Sequence, residues 1–154
     1  MKPLDAIDRQ ILRVLQQDGR TTNQALADQV GLSARACLDR IRRLEHDRVI
    51  EGYRAIVGRR AQAEPVVVHA EVILVDQRQA TMQQFEHRAL SCPEVIACYL
   101  LSGPCDYLVR FACHDLEHYR GISDAWINDL AMGVARIVSH TELKSVKEFA
   151  GFPI

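Results

Sequence analysis

The chain has 154 residues, of which 48% are hydrophobic and 25% charged, and a formal net charge of −1. That is enough apolar material for a core and enough length for one ordinary domain or two small ones, and it excludes a disordered polyelectrolyte. No run approaches the ~18 uninterrupted apolar residues of a membrane span, and the opening MKPLDAIDRQ has neither the apolar stretch nor the cleavage site of a secretory leader, so a cytoplasmic location is expected. The near-zero total hides two halves of opposite sign: residues 1–60 hold 12 Lys and Arg against 8 Asp and Glu, and residues 61–154 hold 7 against 12. A basic first half beside an acidic remainder implies a polyanion-binding module joined to a part with another task.

In chain order, Leu4, Ile7, Ile11, Val14 and Leu15 recur at helical spacing and predict an amphipathic helix, with Asp5, Asp8, Arg9, Arg13 and Gln16 on the solvent side. Asp18-Gly19 ends it. Thr22 is placed to cap a short second helix over Asn23–Val30. Gly31 supplies a left-handed turn, and Ser33 caps a third helix whose inward face is Cys37, Leu38, Ile41 and Leu44. On a 3.6-residue period this leaves Arg35, Ala36, Asp39, Arg40 and Arg43 outward, with Arg42 at a flank.

A short helix, a glycine turn and a cationic helix with a free N-terminal end are what a helix-turn-helix presents to the DNA major groove, where arginines grip phosphates or pair with guanine. With Thr22, Asn23, Ser33 and Ala34 at the turn, those five positions form the expected DNA-contact set. Asp39 either pairs with a neighbouring arginine or accepts from a cytosine amino group. The following VIEGYRAIV (49–57) has strand composition, and GRRAQAEP (58–65) is the expected linker.

Beyond Val66 the periodicity changes. VVVHAEVILV predicts a strand; QATMQQFEHRAL a helix with Met82, Phe85, Ala89 and Leu90 on one side; EVIACYLLSG and CDYLVRFACH two strands around a tight turn. LEHYRGISDAWINDLA predicts a helix with Trp126 anchored in the core, and VARIVSHTELKSV a last strand. The order β-α-β-β-α-β is that of a ferredoxin-like domain over 66–154, an antiparallel sheet with both helices on one face. In the first strand Val67, Ile73 and Val75 lie opposite Val66, Val68, Ala70, Val72 and Leu74, so the uncovered face is partly apolar. A sheet-to-sheet homodimer is expected from this, and its twofold symmetry suits paired recognition helices.

LDAIDRQILRVLQQDGR, NQALADQVGLSARACLDRIRRLE, VIEGY and SGPCDYL, in that order and spacing, resemble the Lrp/AsnC, or feast/famine, family of bacterial transcriptional regulators over almost the whole chain. The resemblance implies an α+β protein. Its first part is a winged-type helix-turn-helix domain over 1–57, with its motif at about 23–42. Its second is a ferredoxin-like domain of the RAM/AsnC type that binds an amino acid or related metabolite and forms dimers, often assembled to octamers. It also places the turn residues Ser102, Gly103, Asp106 and Tyr107 at the effector. A glycine turn offers N–H groups to a carboxylate, and Asp106 suits an ammonium. Pro104-Cys105 departs from the commoner acidic-aromatic pair, and Ala34 stands where many relatives have proline.

No cofactor beyond that effector is expected. Cys37, Cys92, Cys98, Cys105 and Cys113 form no C-x-x-C pair and are expected to be reduced and mostly buried. His114 and His118 share a helical spacing but lack a third ligand, so no metal site is expected. There is no P-loop, G-x-S-x-G or G-x-G-x-x-G. The enzyme alternative is a sirohaem decarboxylase, which resembles this family in architecture. It would need basic residues and histidines in the sheet cavity, whereas the C-terminal half is acidic with Arg110 and Arg136 as its sole strand-centred arginines, and the basic third helix favours DNA. The regulator reading is therefore preferred and no enzymatic activity is expected.

Overall fold

A computed structural model describes residues 3–55, 57 and 65–154. All of the expected linker but Pro65 lies outside the described residues. The chain divides into two units, Met1–Ile56 with Lys147–Ile154, and Val57–Val146. The last eight residues, expected to belong to the ferredoxin-like domain, therefore group with the helices at the other end of the sequence.

The first unit holds α1 (Ala6–Gln17), α2 (Asn23–Val30) and α3 (Ala34–His46). Each helix starts on a side-chain cap that satisfies an otherwise orphaned N–H. Asp5 and Asp8 form a reciprocal capping box on α1, Thr22 accepts from the Ala25 N–H, and Ser33 accepts from the Ala36 N–H. Gly31 closes α2 at φ 69°, a conformation that costs other residues a Cβ clash. Ile11, Leu26, Ala27, Cys37 and Leu44 are the sealed centre of the three-helix core.

The strand expected at 49–57 is not formed among the described residues. The N–H groups of Val49 and Ile50 both donate to the Leu44 carbonyl, at 2.8 and 3.1 Å, which folds the start of this stretch back onto the end of α3. Residues 51–55 join no ladder of the described sheet, and strand composition without ladder hydrogen bonds does not make a strand.

The second unit is the ferredoxin-like one. Strands β1 (Val66–Leu74), β2 (Val95–Leu100), β3 (Tyr107–Cys113) and β4 (Val134–Thr141) form a sheet in the order β2-β3-β1-β4, every pairing antiparallel. Helices α4 (Gln79–Ser91) and α5 (Leu116–Asn128), with a 3₁₀ turn at Leu130–Met132, complete it. The expected alternation in β1 is realised: Val68, Ala70, Val72 and Leu74 point into the core, opposite Tyr107, Val109, Phe111 and Cys113 of β3. Phe85 from α4 and Trp126 from α5 meet edge to face with ring centroids 5.5 Å apart, and Phe111 lies 5.1 Å from Trp126. Gly133, at φ 63°, is required because a Cβ there would stand 2.5 Å from the Thr81 methyl group.

Two expectations at the edges are corrected. Leu90, expected on the inward side of α4, is 88% exposed; the 3.6-residue period places 82, 85 and 89 in one stripe and turns 90 out of it. The last strand stops at Thr141 rather than running to 146; its register with β1 ends at the Val68–Thr141 pair. The sheet face away from the core is mixed. His69, Glu71 and Ile73 alternate there with Leu108 and Arg110 of β3 and with Arg136, Val138 and His140 of β4. All five cysteines are free; Cys37, Cys105 and Cys113 are buried.

Phe85 ties both helices to the sheet through Trp126 and Tyr107. Phe85→Ala should lower the unfolding free energy of this unit by about 3–5 kcal/mol in urea titrations; a loss under 1 kcal/mol would mean the site collapses around the void.

Candidate nucleic-acid interface and effector turn

Helix α3 presents an exposed strip of Arg35, Asp39, Arg42 and His46, spaced at three and four residues, with Ser33 exposed at its start. This corrects the face drawn from the sequence. Arg40 and Arg43, expected outward, turn instead to the start of α1, and Arg42, expected at a flank, is outward. Asp8, placed on the solvent side of α1, is 1% exposed. Its Oδ1 accepts from Arg40 Nη1 at 2.8 Å and from Arg43 Nη2 at 2.5 Å, while Asp5 Oδ2 accepts from Arg40 Nη1 at 2.6 Å.

The cause is electrostatic. A buried carboxylate without charged partners is too costly to keep ionised, and two guanidinium groups one turn apart on α3 supply charge-assisted hydrogen bonds while keeping part of their own surface wet, at 26% and 31% side-chain exposure. The Arg40 guanidinium, and after it the Asp8 N–H, hold the Asp5 carboxyl down near 2 from its ordinary 3.8. The Asp5 and Asp8 carboxylates in turn hold Arg40 protonated more firmly than usual.

The remaining positions of the expected DNA-contact set sit around the turn. The Thr22 and Ser33 hydroxyls act as helix caps, and Asn23 Nδ2 donates to the Ala34 carbonyl at 2.7 Å, which fixes the start of α2 against the start of α3. Ala34 and Ala36 are half-buried, and Arg35 is exposed. Asp39 has no ion-pair partner among the described residues, so the expected alternative of pairing with a neighbouring arginine is not realised. The outward position of Arg42 follows from the 35/39/42/46 spacing once Arg40 and Arg43 are matched to the paired aspartates of α1.

The turn between β2 and β3 also differs from expectation. Asp106 is already engaged: Oδ2 accepts from the Leu74 N–H and Oδ1 from Gln77 Nε2, both at 2.8 Å, while its own N–H donates to the Val72 carbonyl at 2.9 Å. The carboxylate pins the turn to the end of β1. Tyr107, expected at the effector, is a core residue. It is buried, its ring centroid lies 4.5 Å from that of Phe85, and its hydroxyl donates to Glu86 at 2.8 Å. Burial, then the adjacent Glu86 carboxylate, pushes its phenol well above the usual range. Its alternation in β3, opposite Leu100 and Val72, dictates the inward direction. Ser102, Gly103 and Pro104 are exposed, and Gly103 takes φ 144°. His114 and His118 face Asp115 and Glu94 respectively rather than each other.

The two units correspond to two domain families. The AsnC-type helix-turn-helix domain matches residues 4–45, and the Lrp/AsnC ligand binding domain matches residues 66–152. The chain belongs to the Lrp/AsnC family. This Lrp/AsnC transcription regulator is 42% identical over 117 residues to the leucine-responsive regulatory protein of Rhizobium meliloti, covering 76% of the chain and 75% of that protein. It is 37% identical over 146 residues, 95% of each protein, to the Bkd operon transcriptional regulator of Pseudomonas aeruginosa.

Among solved structures it resembles an AsnC family transcriptional regulator from Agrobacterium tumefaciens, with a TM-score of 0.89, 28% identity and 97% of both chains covered. It also resembles a Neisseria meningitidis transcriptional regulator solved as a complex with L-Met, with a TM-score of 0.86, 28% identity and coverage of 98% and 97%. These relatives are regulators, which favours that reading over the decarboxylase. Among the described residues, no helix of this regulator is long and apolar enough to cross a membrane.

Asp8→Asn should cost about 2–3 kcal/mol of stability in the helical unit, since it strips charge from the site that Arg40 and Arg43 share; chemical denaturation followed by helical circular dichroism measures it. Asp5 adds a pH dependence. Its folded pKa, near 2, lies below the ordinary 3.8, so its contribution is full above about pH 4 and is lost as the pH falls to about 2. Melting temperatures between pH 5 and 2 should fall less steeply for Asp5→Asn than for the unsubstituted chain.

Proposed function

We propose that this regulator reads DNA with the exposed strip of α3, Arg35, Asp39 and Arg42, seated by Ser33 and the turn at Thr22–Asn23. The supporting observation is the division among the α3 arginines. Arg40 and Arg43 are consumed in holding α3 against α1, while Arg35 and Arg42 make no ion pair among the described residues and share one face of a helix capped for a free N-terminal end. Uncommitted guanidinium groups on a rigid scaffold are what phosphate gripping and guanine recognition require.

In this reading an amino acid or related metabolite meets the β2–β3 turn at Ser102 and Gly103, with Asp106 shaping the turn. The parallel is the N. meningitidis regulator solved with L-Met. Dimers form through the open, partly apolar sheet face and assemble further, up to octamers, and the protein acts in the cytoplasm, where its DNA lies. No catalysis is assigned: Arg110, one of the two strand arginines that a decarboxylase would need, is held at 3.0 Å by Glu142.

The test is a salt titration of binding to the DNA upstream of the regulator's own gene. Arg35→Ala and Arg42→Ala should each weaken binding and flatten the slope of log K against log salt by about 1. Slopes unchanged in both variants would remove this strip from the interface.

A further inference from the structure

The segment 147–154, KEFAGFPI, is not a loose end of the sheet. Arg13 Nε donates to the Ile154 carbonyl at 2.6 Å, and Gln16 Nε2 donates to the Phe152 carbonyl at 3.2 Å. Residues three apart on a helix are neighbours about 5–6 Å apart. The face of α1 away from the three-helix core thus offers two adjacent donors to the main-chain carbonyls of this segment.

Ile154 packs against the helical core. Gly151, at φ 117°, approaches so closely that a Cβ would stand 2.8 Å from the Gln16 amide. Phe149 and Phe152 stack edge to face, centroids 5.2 Å apart, over a cavity of about 610 Å³ bordered by Leu12, Leu15 and Tyr53.

Upstream the same stretch of chain is pinned to the sheet. The Glu142 N–H donates to the Val67 carbonyl at 2.8 Å, and its carboxylate meets His69 Nε2 and Arg110 Nη2, both at 3.0 Å. Between the anchors, Leu143 and Val146 are 97% and 91% exposed. Five Cα steps separate Glu142 from Lys147, so this span reaches at most about 18 Å.

We propose that the outer face of α1 is a peptide-binding groove whose occupant is segment 147–154 of this chain, which straps the DNA-binding unit to the effector unit independently of the 58–65 linker. The helical unit is then held at both ends of its sequence. This adds a contact that the DNA-reading proposal does not use: neither Arg13 nor Gln16 lies on the α3 strip.

The test severs the other connection. A site for a specific protease is placed within residues 58–64 of the full chain, the chain is cut, and the products are run on size-exclusion chromatography. The helical fragment should co-elute with the remainder and be released by an excess of synthetic peptide of sequence KEFAGFPI. Co-elution should be lost in Arg13→Ala/Gln16→Ala and, separately, in Gly151→Val. The glycine variant acts from the strap side and leaves the helices unaltered, so a folding defect of α1 cannot account for its effect. Separation of the fragments in the unsubstituted chain, or co-elution that persists in both variants, overturns the proposal.

Discussion

The buried carboxylate of Asp8 decides what the DNA-binding unit can do. It sits in the first turn of α1, where the helix N-terminus favours negative charge, and it must also be paired because almost none of its surface reaches water. Arg40 and Arg43 satisfy it from one face of α3 and so set that helix's rotation about its own axis. Rotation in turn determines which side chains remain for a ligand. Once two arginines are committed inward, the outward strip is Arg35, Asp39, Arg42 and His46, and no rearrangement of α3 exchanges the two sets without leaving Asp8 uncompensated. Arginines of one helix are therefore divided between those that hold the fold and those left to solvent.

A similar division governs the turn between β2 and β3. The motif residues that invite a direct ligand role are used by the fold: Asp106 holds the backbone of Leu74, and Tyr107 fills the core between Phe85 and Glu86. What stays exposed is the small, glycine-containing apex at Ser102–Pro104. Such a turn offers backbone groups more than side chains, and its shape is maintained by the hydrogen bonds behind it. The rigid aromatic cluster below, from Phe85 to Trp126, gives that apex a fixed base.

Membership of the Lrp/AsnC family accounts for the joining of these two units, one for DNA and one for a ligand. The chain enters the helical unit twice, once at each end of its sequence. The ordering of 147–154 against α1 rests on main-chain carbonyls and one glycine as well as on Ile154 and the two phenylalanines.

Local rules were sufficient wherever a residue's role depended on its neighbours in sequence. Caps at Thr22 and Ser33, the left-handed Gly31, the inward stripe Cys37–Leu44, the alternation of β1 and the βαββαβ order all follow from periodicity and turn chemistry, whose determinants lie within a few residues. Tertiary structure alone decided the rest. Arg40 points inward because of an aspartate 32 residues away; Tyr107 is core because β1 and α4 close over it; residues 51–55 join no ladder of the described sheet; and the final residues group with the first unit, where two side chains of α1 reach their carbonyls. In each case the deciding energy is a pairing between groups distant in sequence, and a helical wheel, which treats every exposed face as solvent, does not contain it.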